Sequence, residues 1–311
     1  MIARVTSIVG AALLLAAPWV LTPYEIGLAT TGLAFAMLAV SVHLHTHVAG
    51  LPTLGQAAPF GVGAYAAALL ARQTSASVTQ LAVAALAGLG FAALTGLAVA
   101  RTRGIVTIMV TLAIAEIAHA TAISWTSVTG GSDGMALPRL TVLSGLSSLD
   151  RPADVYLWFL AVFALTIAVV FAVTRSPFGR SIAGIGDNPA RMIANGYPVT
   201  AMLWATHTLT GALAGLGGAM LASTHRYVSP ADLGLTISAL ALVAVVIGGS
   251  SLTGVVVGAF LVVALRDYLG GQFSGSWAGH GTLLLGAGFV ACVYLLPAGL
   301  TGLVRRMGSH A

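Results

Sequence analysis

The sequence predicts an all-α, polytopic membrane protein, and three observations carry that reading. Only 7% of its 311 residues are charged, where a soluble domain carries about 25%. Hydrophobic residues make up 58%, and the mean hydropathy is +0.98. The apolar runs are helix-length and rich in Ala, Leu, Val and Gly, unlike the short alternating strands of a membrane barrel. A water-soluble enzyme and a disordered tail are both excluded. One span takes about 20 apolar residues, so the chain has room for about ten, packed as a single transmembrane domain.

The elements follow in order. Residues 1–20 carry Arg4 and then an apolar run that imitates a secretory signal. Pro18, Trp19 and Pro23 stand where small residues would precede a cleavage site, so the segment reads as an uncleaved first span. The other spans are read over 27–44, 55–71, 79–100, 104–125, 153–174, 200–222, 233–249, 253–270 and 281–300. Of these, 55–71 and 233–249 are short enough to be broken or tilted helices. With the N-terminus in the cytoplasm, alternating spans place Arg4, Arg101, Arg103, Arg175, Arg180, Arg191, Arg305 and Arg306 on the cytoplasmic side. Arg72, Arg139, Arg151 and Arg226 fall outside, with Arg266 near the outer end of its span. The positive-inside rule prefers this orientation, with both termini cytoplasmic. The arginines are scattered and form no basic stripe, so the pI near 9.9 is not a nucleic-acid signal. The lone Cys292 sits in an apolar run and excludes a disulfide within the chain.

Two loops are long. Residues 126–152 face outward and are rich in Ser, Thr, Gly and Asp, a composition for docking or for a flexible connector. Residues 175–199 face the cytoplasm, where Pro177 and Gly179 break the incoming span and Gly196 and Pro198 end a stretch with room for one short helix. Such a helix either links two spans or receives force from a soluble motor. Spans two to five and seven to ten lie five apart, so a repeat between them is inverted, as in many transporters; Leu54-Gly55 and Leu233-Gly234 open short spans at matching places.

Catalytic chemistry finds little support. There is no HExxH and no Walker motif, so the chain cannot hydrolyse ATP by itself. His43 and His47 of the HLHTH run share a helical face, but no Asp, Glu or Cys nearby offers a third metal ligand, and His43, His45 and His47 read as interfacial residues capping a span. Glu116 is the acid well inside a span, with His119 at i+3. A charge there costs roughly 2.5 to 3.5 kcal/mol, so it is expected to face the bundle or a wet cavity. It serves as a proton relay with His119, as polar lining of a substrate path, or as a structural hydrogen bond to a neighbouring helix or subunit. Gly55, Gly61 and Gly63, and Gly211, Gly215, Gly217 and Gly218, thin their helices for close packing.

Six stretches carry a resemblance. TLGQAAPFGVGAYAAALLA (53–71), RTRGIVTIMVTLAIAEI (101–117), TGGSDGM (129–135), SPFGRSIAGIGDNPARMIANGY (176–197), VSPADLGLTISALALVAVVIGGSSLTGVVVGAF (228–260) and LPAGLTGL (296–303) occur in this order over nearly the whole chain. Together they resemble the permease subunits of high-affinity branched-chain amino-acid ABC importers, the M type of the two homologous permeases most closely. The resemblance implies a type II-like importer architecture in the cell inner membrane. It implies pairing with a homologous second permease, two cytoplasmic ATPases that hold ATP and Mg, and an extracytoplasmic substrate-binding protein; the chain itself needs no cofactor.

It further implies that 176–197 is the coupling loop on an ATPase, with Ser176, Phe178, Gly179, Arg180, Asp187, Asn188 and Arg191 in the motif. Gly55 and Gln56 match the glycine-glutamine that opens the third span, and Ser132 and Asp133 fall at the outward mouth; with Glu116 these are the path candidates. The VHLHTHVAGLP stretch and Pro59 depart from the family's pattern. Related importers carry urea, short amides or other amino acids, and a stand-alone carrier working through Glu116 and His119 is the reading from another class.

Overall fold

The computed structural model describes residues 14–138, 141–142, 151–268 and 286. The span read over 281–300 lies outside these residues except for Gly286, and so do most of 1–20, parts of 126–152 and 253–270, the LPAGLTGL stretch, Arg4, Arg139, Cys292, Arg305 and Arg306.

After a helical segment at 14–20, α1 spans Pro23–His43. Its start is written locally: Thr22 donates its N–H to the Glu25 carboxylate at 2.8 Å, and Glu25 N–H returns to the Thr22 hydroxyl at 3.4 Å. Pro23 supplies the fixed φ of a first turn. The helix does not stop at 44 but continues as a π-helical segment, Leu44–Val48. From Thr30 to His45 every residue is buried, as expected of a helix that is apolar all round.

Then come α2 (Ala57–Ala71), α3 (Ser77–Val99), α4 (Ile105–Ser124) and α5 (Pro152–Arg175). Two short helices follow, α6 (Pro177–Asp187) and α7 (Pro189–Ala194), then α8 (Val199–His225), α9 (Leu235–Gly248) and α10 (Leu252–Val263). Among the described residues, four helices are long and apolar enough to cross a membrane: Pro23–Val48, Ser77–Val99, Ile105–Ser124 and Pro152–Arg175. The 15 residues of α2 and the 14 of α9 reach about 22 and 21 Å. Both fall short of the roughly 30 Å hydrocarbon core, as their sequences imply.

At 27 residues α8 is the longest described helix, yet Thr206, His207 and Thr210 interrupt it. It tolerates them because it is the axis of the bundle, packed against α1, α2 and α3 rather than against lipid. Glycine makes that packing possible. A Cβ on Gly211 would strike the Gly88 backbone, one on Gly215 the Ala84 carbonyl, and one on Gly218 the Phe60 carbonyl. A Cβ on Gly217 would lie 2.9 Å from the Ala34 carbonyl oxygen, and one on Gly63 would meet Gly215 itself. The helices touch backbone to backbone, the association open to a bilayer protein that gets no hydrophobic drive from lipid. On the other side of α1, α9 and α10 pack through Gly248 and Gly258, and Phe159, Tyr156 and Met37 fill the core between α1 and α5.

The starts of the two short helices meet. Ser238 accepts the Ala57 N–H at 2.9 Å, and Leu233 fills the space left by Gly61.

Two sequence expectations are corrected. The 175–199 stretch holds two helices rather than one, because Asn188 breaks the first in an extended conformation and caps the second, with Pro189 at its first position. The 126–152 loop is structured through residue 138: a turn of helix at Thr126–Thr129, a 3-10 turn at Gly131–Asp133, and a strand, Met135–Ala136, antiparallel to Tyr227–Val228. Glycines at positive φ (Gly130, Gly131 and Gly134) permit its tight path.

The glycine seam gives a direct expectation. Gly218→Leu should destabilise the chain by at least about 3 kcal/mol through overpacking against backbone, seen as loss of monodisperse protein in detergent. Gly90, whose Cβ would meet nothing within 4 Å among the described residues, should accept Ala with no loss of thermal stability.

Candidate functional site: a groove and a helical hairpin

Helices α3 and α4 touch each other little, whereas α8 holds α3 closely. The divergence leaves a groove of about 490 Å³ along α4, walled by Val62, Tyr65 and Leu69 of α2, Phe91 and Thr95 of α3, and Ile114, Ile117 and Ala118 of α4. Its wall is largely apolar; the polar groups of its lining side chains are the hydroxyls of Tyr65, Thr95, Thr121 and Thr129 and the indole N–H of Trp125. The Tyr65 hydroxyl is buried and has no hydrogen-bond partner among the described residues.

Gly55 and Gln56 sit where the loop before α2 meets α4. Gly55 lies on the Thr111 carbonyl, where a Cβ would not fit, and Leu54 N–H reaches the Thr111 hydroxyl at 3.3 Å. Gln56, fully buried, donates its side-chain amide to the Thr210 hydroxyl at 3.3 Å, while its Oε1 has no partner among the described residues. At the other end of α4, Ser132 and Asp133 ride an exposed 3-10 turn. That turn is held by the Tyr227 hydroxyl donating to the Asp133 carbonyl at 2.6 Å, and Thr129 secures it by donating to the Ala122 carbonyl at 2.6 Å. From Thr111 to Ile123, which packs near Gly131, α4 covers about 18 Å. The two pairs of path candidates therefore mark opposite ends of α4 and do not touch.

Glu116 departs from expectation. Its side chain is 51% exposed and lies 3.7 Å from the His119 Nδ1. Two residues from Ile114 and from Ala118, it points about 160° away from the face that lines the groove. Within this chain it looks outward rather than into the bundle, because the inner face of α4 is taken by Thr107, Thr111, Ala115 and Ala122.

Beside the groove, Asp232 was not singled out from the sequence. It closes a capping box on the 3-10 turn Pro230–Leu233, accepting the Ser229 N–H at 2.9 Å. Burial raises its carboxyl above the usual carboxylate range; the Ser229 bond and the charges of His225 and Arg266 oppose that.

The seven hairpin candidates do come together. Ser176 caps α6 by accepting the Gly179 N–H at 3.3 Å, and Asn188 caps α7 by accepting the Arg191 N–H at 3.0 Å. Gly179 is packed onto the carbonyls of Val173 and Thr174. Ile182 and Ile185 turn inward with half-buried Phe178, onto Ala49, Leu51 and Leu203. Arg180, Asp187, Asn188 and Arg191 are all exposed, on the side away from that cluster.

The histidines differ from an interfacial cap. His43 and His47 stack at 5.0 Å, but His45 is fully buried and its Nε2 lies 2.9 Å from Nδ1 of His207 on α8. His207 was missed because its partner is 162 residues away in sequence. Its signal, a lone histidine among threonines in ATHTLT, says nothing of direction.

Comparison with known proteins matches residues 25–296 to the family described as "Branched-chain amino acid transport system / permease component". The high-affinity branched-chain amino acid transport system permease protein LivM of Salmonella typhimurium is 26% identical over 312 aligned positions, covering 93% of this chain and 72% of that protein; LivM of Escherichia coli gives the same figures. The ribose import permease protein RbsC of Bacillus subtilis is 30% identical over 128 positions, covering 40% of this chain and 38% of that one. No solved structure matches.

The caps yield a local test. Ser176→Ala and Asn188→Ala should each cost the hairpin about 1 kcal/mol, read as faster hydrogen exchange confined to residues 176–197 with the thermal transition of the whole chain unmoved.

Proposed function

Because the chain belongs to the branched-chain amino acid transport system permease family, a family of ABC-importer membrane subunits, we propose that it carries branched-chain or other small aliphatic amino acids across the membrane. The observation that carries this substrate class is the apolar groove along α4, walled by Val62, Leu69, Phe91, Ile114 and Ile117. A leucine or isoleucine side chain loses nothing by sliding along such a wall. An amino acid bears the cost of its ammonium and carboxylate at one end only, whereas a sugar presents hydroxyls over its whole surface, each costing roughly 1 to 3 kcal/mol if buried unpaired, and has no apolar side chain to set against the wall. Urea and the shortest amides likewise offer no apolar side chain to the wall. Weak, continuous apolar contact also suits a path, since a solute bound tightly at one point would not leave it.

In this reading the substrate arrives from an extracytoplasmic binding protein docked over Ser132 and Asp133, which stand exposed at one end of α4. The hairpin α6–α7 lies in the cytoplasm with both termini and seats on an ATPase subunit through Arg180, Asp187, Asn188 and Arg191. Two such ATPases hold ATP and Mg; the chain itself is a transport subunit and performs no hydrolysis. A homologous second permease covers the face of α4 that presents Glu116 with Ile105, Val106 and Met109, all exposed, and gives the carboxyl a donor in place of lipid. A proton carrier built on Glu116 is disfavoured by the side chain's direction, away from the groove.

The test is uptake in vesicles holding the chain with its second permease, ATPases and binding protein. ATP-dependent uptake of labelled leucine, inhibited by isoleucine and valine and not by ribose or urea, is expected. Uptake that needs no ATPase, or that prefers ribose or urea, would overturn the proposal. Arg180→Glu and Asp187→Arg should each lower uptake at least about tenfold, a loss of roughly 1.4 kcal/mol at the hairpin contact, while the chain still folds.

A further inference from the structure

We infer that the buried His45–His207 pair is a mechanical tie between the α6–α7 hairpin and the groove, which makes both histidines positioning residues for transport; the inference rests on the groove being the substrate path.

A Cβ on Gly186, in the last turn of α6, would lie 2.6 Å from the Val48 carbonyl oxygen, and one on Gly50 would lie 2.9 Å from the Gly186 Cα. No side chain cushions this contact, so α6 presses backbone on backbone against residues 48–50. Ile182 and Ile185 of α6 pack in one cluster with Ala49 and the fully buried Leu51. Packed interiors of this kind shift as units rather than compress. Movement of α6 is therefore movement of Leu51.

Leu51 is bound twice to one residue. Its N–H donates to the His45 carbonyl at 3.0 Å, and its carbonyl accepts from the His45 Nδ1 at 2.8 Å. That second bond decides the chemistry of the pair. A carbonyl only accepts, so His45 carries its proton on Nδ1 and, in the neutral ring, offers a lone pair from Nε2. His207, 2.9 Å away, must donate from Nδ1 and keep a lone pair on Nε2. Facing that lone pair at 3.2 Å is the hydroxyl of Thr95, whose residue lines the groove.

The bonds thus run in one sense, from Thr95 through His207 and His45 to Leu51. The last acceptor holds no proton to pass on, so the line is a tie and not a proton path. The Thr95 hydroxyl has one proton and a second acceptor within reach, the Phe91 carbonyl at 3.0 Å. Turning to Phe91 releases His207, which gives the groove end of the tie two discrete settings, as a coupled element requires.

Two further features agree with this placement. His45 sits inside the π-helical segment Leu44–Val48, whose widened turn is a recurrent mark of functional sites. Gly96 of α3 lets the His207 ring come close, since a Cβ there would lie 3.1 Å from its Cδ2.

Stability alone does not call for the pair. Replacing both partners of a buried hydrogen bond by apolar groups of similar shape is close to neutral, whereas replacing one strands the other. In the double variant His45→Phe/His207→Phe the ring–ring bond goes with both its partners, while the Leu51 carbonyl loses its side-chain donor; the chain is expected to fold with a lowered transition, and leucine carried per ATP, which a stability loss alone leaves unchanged, separates coupling from folding.

The experiment uses the whole transporter in vesicles, with a spin label at Ser124→Cys, beside the groove, in a Cys292→Ala background. Two quantities are read: the change in label mobility when the ATPases are trapped with ATP and vanadate, and labelled leucine carried per ATP hydrolysed. With the histidines present, trapping should change the label's mobility. In the double variant that response should vanish and leucine per ATP should fall at least about tenfold, with the thermal transition lowered but still present; a merely structural pair would lower uptake and hydrolysis together and leave their ratio alone. A double variant that responds and couples like its parent would overturn the tie while leaving the transport reading intact. A parent whose label does not respond and that carries no leucine would overturn the transport reading and the tie with it.

Discussion

The structure depends on how closely α8 approaches its neighbours. In a bilayer, apolar surface gains nothing by leaving lipid for protein, so helices associate through dispersion contact and hydrogen bonds at short range. Gly211, Gly215, Gly217 and Gly218 bring α8 to backbone contact with α1, α2 and α3, and Gly63 and Gly88 answer from the other side. With that axis in place, the polar atoms of α8 lie within reach of α2 and α3. The Gln56–Thr210 and His207–Thr95 bonds follow from it.

The same constraint explains the groove. Helix α4 has no comparable glycine seam; its only glycine, Gly104, precedes the helix at a φ of 58° and meets nothing within 4 Å. It is anchored near its start, where Thr111 meets Gly55 and Leu54, and at its end, where the Gly130–Gly134 turn is pinned by Tyr227 and Thr129. Between these anchors it stands off α3. A helix held at both ends and loose in the middle can open a path without unfolding, and the buried polar atoms without a partner among the described residues, Tyr65 Oη in the groove wall and Gln56 Oε1 at the start of α2, are groups that a passing solute or water satisfies.

Much of the fold was legible because it is written in local terms. Composition and run length identify the membrane class, Pro177 marks the break after the incoming span, and the shortness of 55–71 and 233–249 persists in α2 and α9; the second break, at Asn188-Pro189, was not read. The hairpin candidates lie within 16 consecutive positions, 176–191, so their nearness to one another is a local property of the sequence. Reading failed where direction mattered. Glu116 was expected to face the bundle or a wet cavity on the cost of its charge, or to bond a neighbouring helix or subunit; within this chain the helix phase that buries Thr107, Thr111 and Ala115 turns it outward. His43, His45 and His47 look equivalent in sequence, but among the described residues only His45 finds a ring across the bundle.

By itself the sequence determined what a chain of this composition can be: a helical membrane protein, apolar in runs, broken at prolines, thinned by glycines, with its charges between spans. Those properties depend on neighbours a few residues apart. The tertiary structure alone decided which glycine faces which backbone, which way Glu116 points, and that His45 and His207, 162 positions apart, form one hydrogen bond. The reason is physical. Backbone contacts and buried hydrogen bonds are made over tenths of an ångström between distant segments, and no local pattern of residues encodes a distance across the bundle.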